Sequence, residues 1–293
     1  MDTAQKPGPL HPSLRVLILK PSSLGDVIQA LPVLRLLRKH RPESKIFWWI
    51  ESTLSGLLQD DPDLDGLILF DRKNSIKPAG WKRLWEDILW MRAQRFDWVI
   101  DLQSLARSGS IAWLANGKLT IGLDDHREGA RCLFDIAIPR ANYHQHAADW
   151  YLATLTRLGI PQTSFNWLPP RPAALQSFRA KWPQDHFQWI VVQPGGRWLN
   201  KRWPVEYYTT LVRQLAAANP EARFAITGSA EDSPLSARIA EAAPDRCMDL
   251  AGKLSLPEMI EWIRASTLMV TNDTGPMHVA AALGKPLVAI FGP

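Results

Sequence analysis

Three short segments hold the residue types that could do chemistry. The first is Asn272-Asp273-Thr274-Gly275-Pro276-Met277-His278, which follows the apolar run Leu268 to Thr271 and opens a stretch of helical periodicity. Pro276 stands where a helix can start without an N–H. Thr274 and Gly275 can turn backbone N–H groups and the positive helix end toward a diphosphate, with Gly275 permitting close approach. The same spacing fits an ordinary N-cap at Asp273 or Thr274 with His278 packed on the first turn, and spacing alone does not choose. The second segment is Gln193-Pro194-Gly195-Gly196-Arg197-Trp198 with Lys201-Arg202-Trp203-Pro204 behind it. A strand ending in a Gly-Gly turn, with three cations ahead of a Pro-started helix, suits phosphate oxygens. A solvated basic loop is the alternative, and the glycines favour phosphate. The third, Lys20-Pro21-Ser22-Ser23-Leu24-Gly25-Asp26, fits neither GxGxxG nor a P-loop. Asp26 is either a first-turn acid favoured by the helix dipole or a general base facing a cleft, and position alone favours the dipole.

The elements that must position these segments alternate. Arg15 to Lys20, Lys45 to Ile50, Gly66 to Leu69, Trp98 to Asp101 and Leu119 to Gly122 read as strands. Helices follow from Asp26, kinked at Pro32, and over Trp81 to Gln94 and His146 to Leu158. After the prolines at 161, 169, 170, 172 and 183 the alternation restarts. It gives strands Trp189 to Gln193, Arg223 to Thr227, Leu268 to Thr271 and Leu287 to Phe291, and helices after Pro204 and Ser233 and over Leu256 to Ala265 and Gly275 to Leu283. Strand–helix alternation predicts α/β units with parallel sheets, and parallel sheets bind ligands beyond the carboxyl ends of their strands. The expected division is a Rossmann-like domain over 13–165, a linker with at most one short helix over 166–186, and a second Rossmann-like domain over 187–293.

Composition bounds the rest. The chain of 293 residues has a net charge of +5, with its cations scattered, which favours an anionic partner but not sequence-independent nucleic-acid binding. Cys132 and Cys247 form no CxxC pattern, so neither a disulfide framework nor a structural zinc site is indicated. The acidic runs Asp60-Asp61-Pro62-Asp63 and Asp124-Asp125-His126 read as exposed turns rather than metal ligands. Residues 1–12 lack an apolar signal region and no stretch reaches the roughly 18 apolar residues that span a bilayer, so a soluble chain in a reducing compartment is expected. Among fourteen tryptophans, Trp48, Trp49, Trp90 and Trp98 read as core. Trp81 and Trp85 share a helical face beside Lys82 and Arg83 and could meet a membrane or a large substrate.

Taken together, PSSLGDVIQALPVLRLLR, PGGRWLNKRWP and TNDTGPMHVAAALGKPLVAIFGP, in that order across both halves, resemble the ADP-heptose:lipopolysaccharide heptosyltransferases. Val99-Ile100-Asp101-Leu102-Gln103-Ser104 and Arg127-Glu128-Gly129-Ala130 also look familial. The resemblance implies a GT-B fold, two Rossmann-like domains facing a central cleft. It also implies inverting transfer of heptose from ADP-heptose to the lipopolysaccharide inner core, onto Kdo-lipid A or a core heptose. The setting it implies is the cytoplasmic face of a Gram-negative inner membrane, with transient membrane contact. By the same resemblance Asp26 is the base, with Ser23 and Gly25 shaping its loop, and Lys201 meets the donor phosphates. Asp273, Thr274, Gly275 and His278, with Gly195 and Gly196, surround the donor, and Glu231 contacts its ribose. Gln103, Arg107, Arg127 and Arg131 are acceptor-side candidates, with a structural salt-bridge role as the alternative. No metal or other cofactor is expected, since helix dipole and cations can hold the diphosphate. The family normally continues beyond the strand near Phe291, so the second domain is expected to be incomplete. A sugar-nucleotide epimerase or another GT-B enzyme, and a non-catalytic nucleotide-sugar or lipid-core binding protein, are the competing readings.

Overall fold

The computed structural model describes residues 13–74, 77–125, 128–182 and 187–292. These form two compact units: one gathers the chain through Pro21 with Pro32–Ser52 and Pro62–Ser164, and the other gathers Ser22–Leu31, Thr53–Asp61 and the chain from Phe165 onward.

In the first unit the strands are β1 (Arg15–Leu19), β2 (Lys45–Glu51), β3 (Gly66–Phe70), β4 (Trp98–Asp101), β5 (Leu119–Asp124) and β6 (Ile136–Pro139). All pair parallel in the order β3-β2-β1-β4-β5-β6. The helices are α1 (Leu24–His40), shared with the second unit, α2 (Pro78–Ala93), α3 (Ala106–Ala115) and α4 (Ala147–Arg157). Val-, Ile- and Leu-rich strands bury both faces, as a sheet covered by crossover helices requires. Leu17, Leu19, Trp49, Val99, Ile88, Met91 and Phe96 join in one core. α1 starts at Leu24, two residues before Asp26, because Asp26 reaches back to cap the turn, and it runs through Pro32 to His40.

The second unit has β7 (Gln188–Gln193), β8 (Ala222–Ile226), β9 (Cys247–Asp249), β10 (Leu268–Asn272) and β11 (Leu287–Ile290), parallel in the order β11-β10-β7-β8-β9. Its helices are α5 (Pro172–Lys181), α6 (Val205–Ala218), α7 (Ser233–Ala240), α8 (Leu256–Ala265) and α9 (Gly275–Ala282). Val192, Tyr208, Phe224, Ile226 and Val270 form its core. Within the stretch read as a linker, α5 is packed structure: Phe178 meets Trp262 edge-on at 5.3 Å, and Ser177 and Lys181 both donate to Glu258. Residues 183–186 lie outside the described residues.

Two sequence readings need correction. Asp61 and Asp124, read as exposed, are buried, and Asp124 ends β5 with Arg131 at 2.9 Å on its carboxylate. Trp48 and Trp49 are core, but Trp90 is 42% exposed: its ring meets Phe47 edge-on at 5.5 Å and the remainder faces water.

Candidate active site

In the second sheet the chain direction of addition reverses between β7 and β10, and this is the place where doubly wound sheets leave a crevice beyond their strand ends. Asn272, the last residue of β10, is fully buried there. Its Oδ1 accepts the Trp203 N–H and the Tyr208 hydroxyl, each at 3.0 Å, and its Nδ2 donates to the Pro194 carbonyl at 2.7 Å. One satisfied amide thus ties the Pro194-Gly195-Gly196 turn, the entry to α6 and the start of the Asp273-Thr274-Gly275 loop together. Burial pushes the Tyr208 hydroxyl pKa upward, which keeps it the donor in that bond.

The two glycines are required by their neighbours. A Cβ on Gly195 would run into the Asp232 carboxyl, and one on Gly196 would come within 3.0 Å of the Thr274 methyl. Asp232 is itself fixed, its Oδ2 accepting the Ser229 N–H at 2.9 Å and the Ser229 hydroxyl at 2.8 Å. The cations beside the turn are not loose. Lys201 Nζ donates to Asp273 Oδ2 at 2.5 Å, and Arg202 Nε donates to the Gly196 carbonyl at 2.7 Å with Asp232 3.6 Å from its other end. Arg197 lies over the Trp198 ring, 5.5 Å from its centroid. A solvated basic loop would leave these side chains in water; instead carboxylates and carbonyls aim Lys201 and Arg202.

The segment Ser22–Leu31 completes the second unit. The Ser23 N–H and hydroxyl donate to Asp26 Oδ2 at 3.0 and 2.7 Å, so the carboxylate caps the first turn of α1 through one oxygen. Gly25 is buried under the His278 ring, and a Cβ there would lie 2.9 Å from Nε2. The other ring nitrogen, Nδ1, is 3.1 Å from Gln29 Nε2. Leu24 packs on Gly275, where a Cβ would meet its side chain within 2.9 Å.

Two adjoining cavities result. One of about 310 Å³ is lined by Ser23, Gly25, Asp26, Lys201, Asp273 and His278. The other, about 530 Å³, runs past Glu231, Ser229, Leu254, Leu256 and Met259. They share Leu24, Gly196, Arg197, Thr274 and Gly275 at the N-terminus of α9. The structure therefore brings together Ser23, Gly25, Asp26, Gly196, Lys201, Asp273, Thr274, Gly275 and His278, puts Glu231 in the connected larger cavity, and places Gly195 behind them against Asp232. Asp26 was expected on the first half, apart from the donor residues; its segment is part of the same compact unit as theirs. Among the described residues no group of three or more His, Cys, Asp or Glu is placed to hold a metal.

The acceptor-side candidates stay in the first unit, at the carboxyl ends of β4 and β5. The Gln103 N–H donates to Asp101 at 2.8 Å, Arg107 is exposed on the first turn of α3, and Arg131 is committed to Asp124. Arg127 lies outside the described residues. Asp101 between them is fully buried; burial pushes its carboxyl up to about 6 against the N–H groups of Ser104 and Gln103, which favour the charged form. Sequence reasoning missed Asp232, Gln29, Leu254 and Met259 as parts of the site, and gave Asn272 no role of its own. The Ser229-x-x-Asp232 spacing, a capping pattern after a strand, was the one available signal for Asp232.

Comparison with known proteins identifies the family. The family model described as glycosyltransferase family 9 (heptosyltransferase) matches residues 82–293. Lipopolysaccharide core heptosyltransferase OpsX of Haemophilus influenzae is 24% identical, the match covering 94% of this chain and 78% of that protein. Lipopolysaccharide heptosyltransferase 1 of Pseudomonas aeruginosa is 29% identical, covering 96% and 79%. The solved structure of E. coli heptosyltransferase WaaC with ADP-2-deoxy-2-fluoro heptose superposes with a TM-score of 0.80 at 26% identity, over 96% of this chain and 89% of that one. With its two parallel-sheet α/β units of the GT-B class and the family model matching most of its length, the chain belongs to glycosyltransferase family 9, the heptosyltransferases.

Proposed function

We propose that this glycosyltransferase moves heptose from ADP-heptose to the inner core of lipopolysaccharide, on Kdo-lipid A or a core heptose, with inversion at the anomeric carbon. The observation that carries the reading is the convergence of Asp26, Lys201, Asp273, His278 and the start of α9 on one cavity that opens into a second, larger one. The larger cavity suits the adenosine: Leu254, Leu256 and Met259 offer apolar contact for a base, and Glu231 an acceptor for ribose hydroxyls. The diphosphate then lies over Thr274 and Gly275, where helix N–H groups and Lys201 face it. Asp273 holds Lys201 in position until the donor arrives.

In the reaction the acceptor hydroxyl oxygen attacks the anomeric carbon opposite ADP, the carbon–oxygen bond to the β-phosphate breaks, and the hydroxyl proton passes to Asp26. Asp26 caps its helix through Oδ2, which fixes the carboxylate while Oδ1 serves as the proton acceptor. The charge arriving on ADP is met by Lys201 and the α9 dipole, so the reaction is proposed to need no metal ion. The names of the relatives support the lipopolysaccharide acceptor, and an acceptor anchored in lipid supports a working position at the inner face of the inner membrane. No described helix is long and apolar enough to cross a membrane. Mass spectrometry of products from ADP-heptose and defined truncated lipopolysaccharides tests the proposal: the expected result is an acceptor heavier by one heptose, and no transfer to any acceptor overturns it. Altered free sugar nucleotide formed without acceptor would instead select the epimerase reading.

A further inference from the structure

Helix α2 presents an apolar stripe to solvent. Trp81 is 66% exposed, Trp85 56% and Leu89 50%. At positions i, i+4 and i+8 the three lie on one face, about 80° wide, while Ile88 and Met91 of the same helix are buried in the sheet. Burying surface on the first unit's core therefore does not account for this stripe. Two indoles and a leucine so exposed make a patch on the order of 300 Å², the size at which apolar surface marks a binding face.

Charge identifies what covers it. From Arg72 to Arg95 the chain carries Arg72, Lys73, Lys77, Lys82, Arg83, Arg92 and Arg95 against Glu86 and Asp87, a net +5 that equals the net charge of the whole protein. The segment that exposes these tryptophans thus carries seven cations against two acids, although cations occur along the whole chain. Lys82 stands next to Trp81 with its side chain 82% exposed. A protein partner reading the stripe by shape would not call for this excess, whereas an anionic bilayer answers both features: cations meet headgroup phosphates and indoles settle at the headgroup–acyl boundary.

We propose that the Trp81–Trp85–Leu89 face of α2, with its surrounding lysines and arginines, docks the protein on an anionic lipid bilayer. This deepens the membrane-surface part of the proposed function, and its test needs neither donor nor acceptor. The full chain is sedimented with vesicles of phosphatidylcholine alone and with vesicles in which about a third of the lipid is phosphatidylglycerol. Binding is expected to the anionic vesicles, to weaken in high salt, and to fall at least about tenfold for Trp81→Ala/Trp85→Ala, whose melting should be unchanged because both side chains are exposed. Lys73→Glu/Lys77→Glu/Lys82→Glu should abolish the preference for anionic vesicles. Undiminished binding by the tryptophan variant overturns the assignment, as does wild-type indifference to lipid charge. Loss of a dimer rather than of vesicle binding in that variant overturns it in favour of self-association. Transfer to a water-soluble truncated acceptor should survive both variants, so failure of docking and failure of the transferase reading are separable.

Discussion

Replacing Asp26 by Asn separates its two roles. The change keeps an oxygen to accept the Ser23 N–H and hydroxyl bonds of 3.0 and 2.7 Å but removes the negative charge from the first turn of α1. Weakening the cap costs about 0.5 to 1 kcal/mol, and loss of the charge–dipole attraction about 0.3 to 1 kcal/mol. The structural cost is therefore about 1 to 2 kcal/mol, equivalent to a melting temperature lower by about 2 to 8 °C, and nearly all molecules remain folded. If Asp26 were only a cap, turnover at saturating substrate would be almost unchanged. Loss of a general base costs about 100- to 10,000-fold. The assay is ADP release at saturating donor and acceptor, beside a thermal melt and calorimetric titration of ADP. Expected are a small melting shift, retained ADP binding, and kcat lower by at least about 100-fold. Turnover within about threefold of wild type, with the melting shift present, would refute the base assignment and leave only the cap.

Gly25→Ala should push the His278 ring away from Gln29, losing a packed contact and the 3.1 Å bond at a cost of about 1 to 3 kcal/mol; ADP titration should show affinity weakened about tenfold, and unchanged affinity would mean that His278 is a packing residue only. Glu258 links α8 to α5: burial alone would raise its carboxyl, but bonds from Lys181, Ser255 and Ser177 outweigh that and lower it from 4.5 to about 2. A depressed carboxylate stabilises fully above about pH 4.5 and loses that stabilisation as pH falls toward 2, here about 3 kcal/mol. Urea midpoints should therefore drop for Glu258→Gln at pH 7 and converge with wild type near pH 2, and parallel pH curves would count against this. Activity after exhaustive EDTA treatment is expected to match that with added Mg²⁺; strict dependence on the cation would sink the metal-free mechanism.

Strands with long apolar runs were legible in the sequence because a parallel sheet buries both faces, and Arg15–Leu19, Trp98–Asp101 and Leu268–Asn272 lie close to where periodicity puts them. Three elements were not. β6 is four residues long, closes on Pro139 and sits at a sheet edge, and β9 has three half-buried residues at the other sheet's edge. α3 is made of small residues whose contacts, such as Gly109 under Leu133, carry no amphipathic signature. At the site, the loops and the first-turn acid could be read locally because glycine, proline and carboxylate positions at helix starts have local causes. The roles of Asn272 and Asp232 come from contacts with Pro194 and Gly195, which lie far away in sequence, and the Ser229-x-x-Asp232 capping spacing is the only local sign of either.

The membership of Ser22–Leu31 in the second unit has a consequence for how the protein is made. Gln29 and His278 are 249 residues apart, so the segment carrying Asp26 leaves the ribosome long before its partners exist. At translation rates of about 5 to 20 residues per second the wait is roughly 12 to 50 s, far longer than a helix needs to form. During that interval Leu24 and Gly25 have neither Gly275 nor His278 to cover them, and closing so long a loop carries a large entropic cost. The cavity next to Asp26 is thus among the last parts of the molecule to assemble. In pulse-labelled hydrogen exchange the first turn of α1 should gain protection with α9, later than the strand β1 that precedes it.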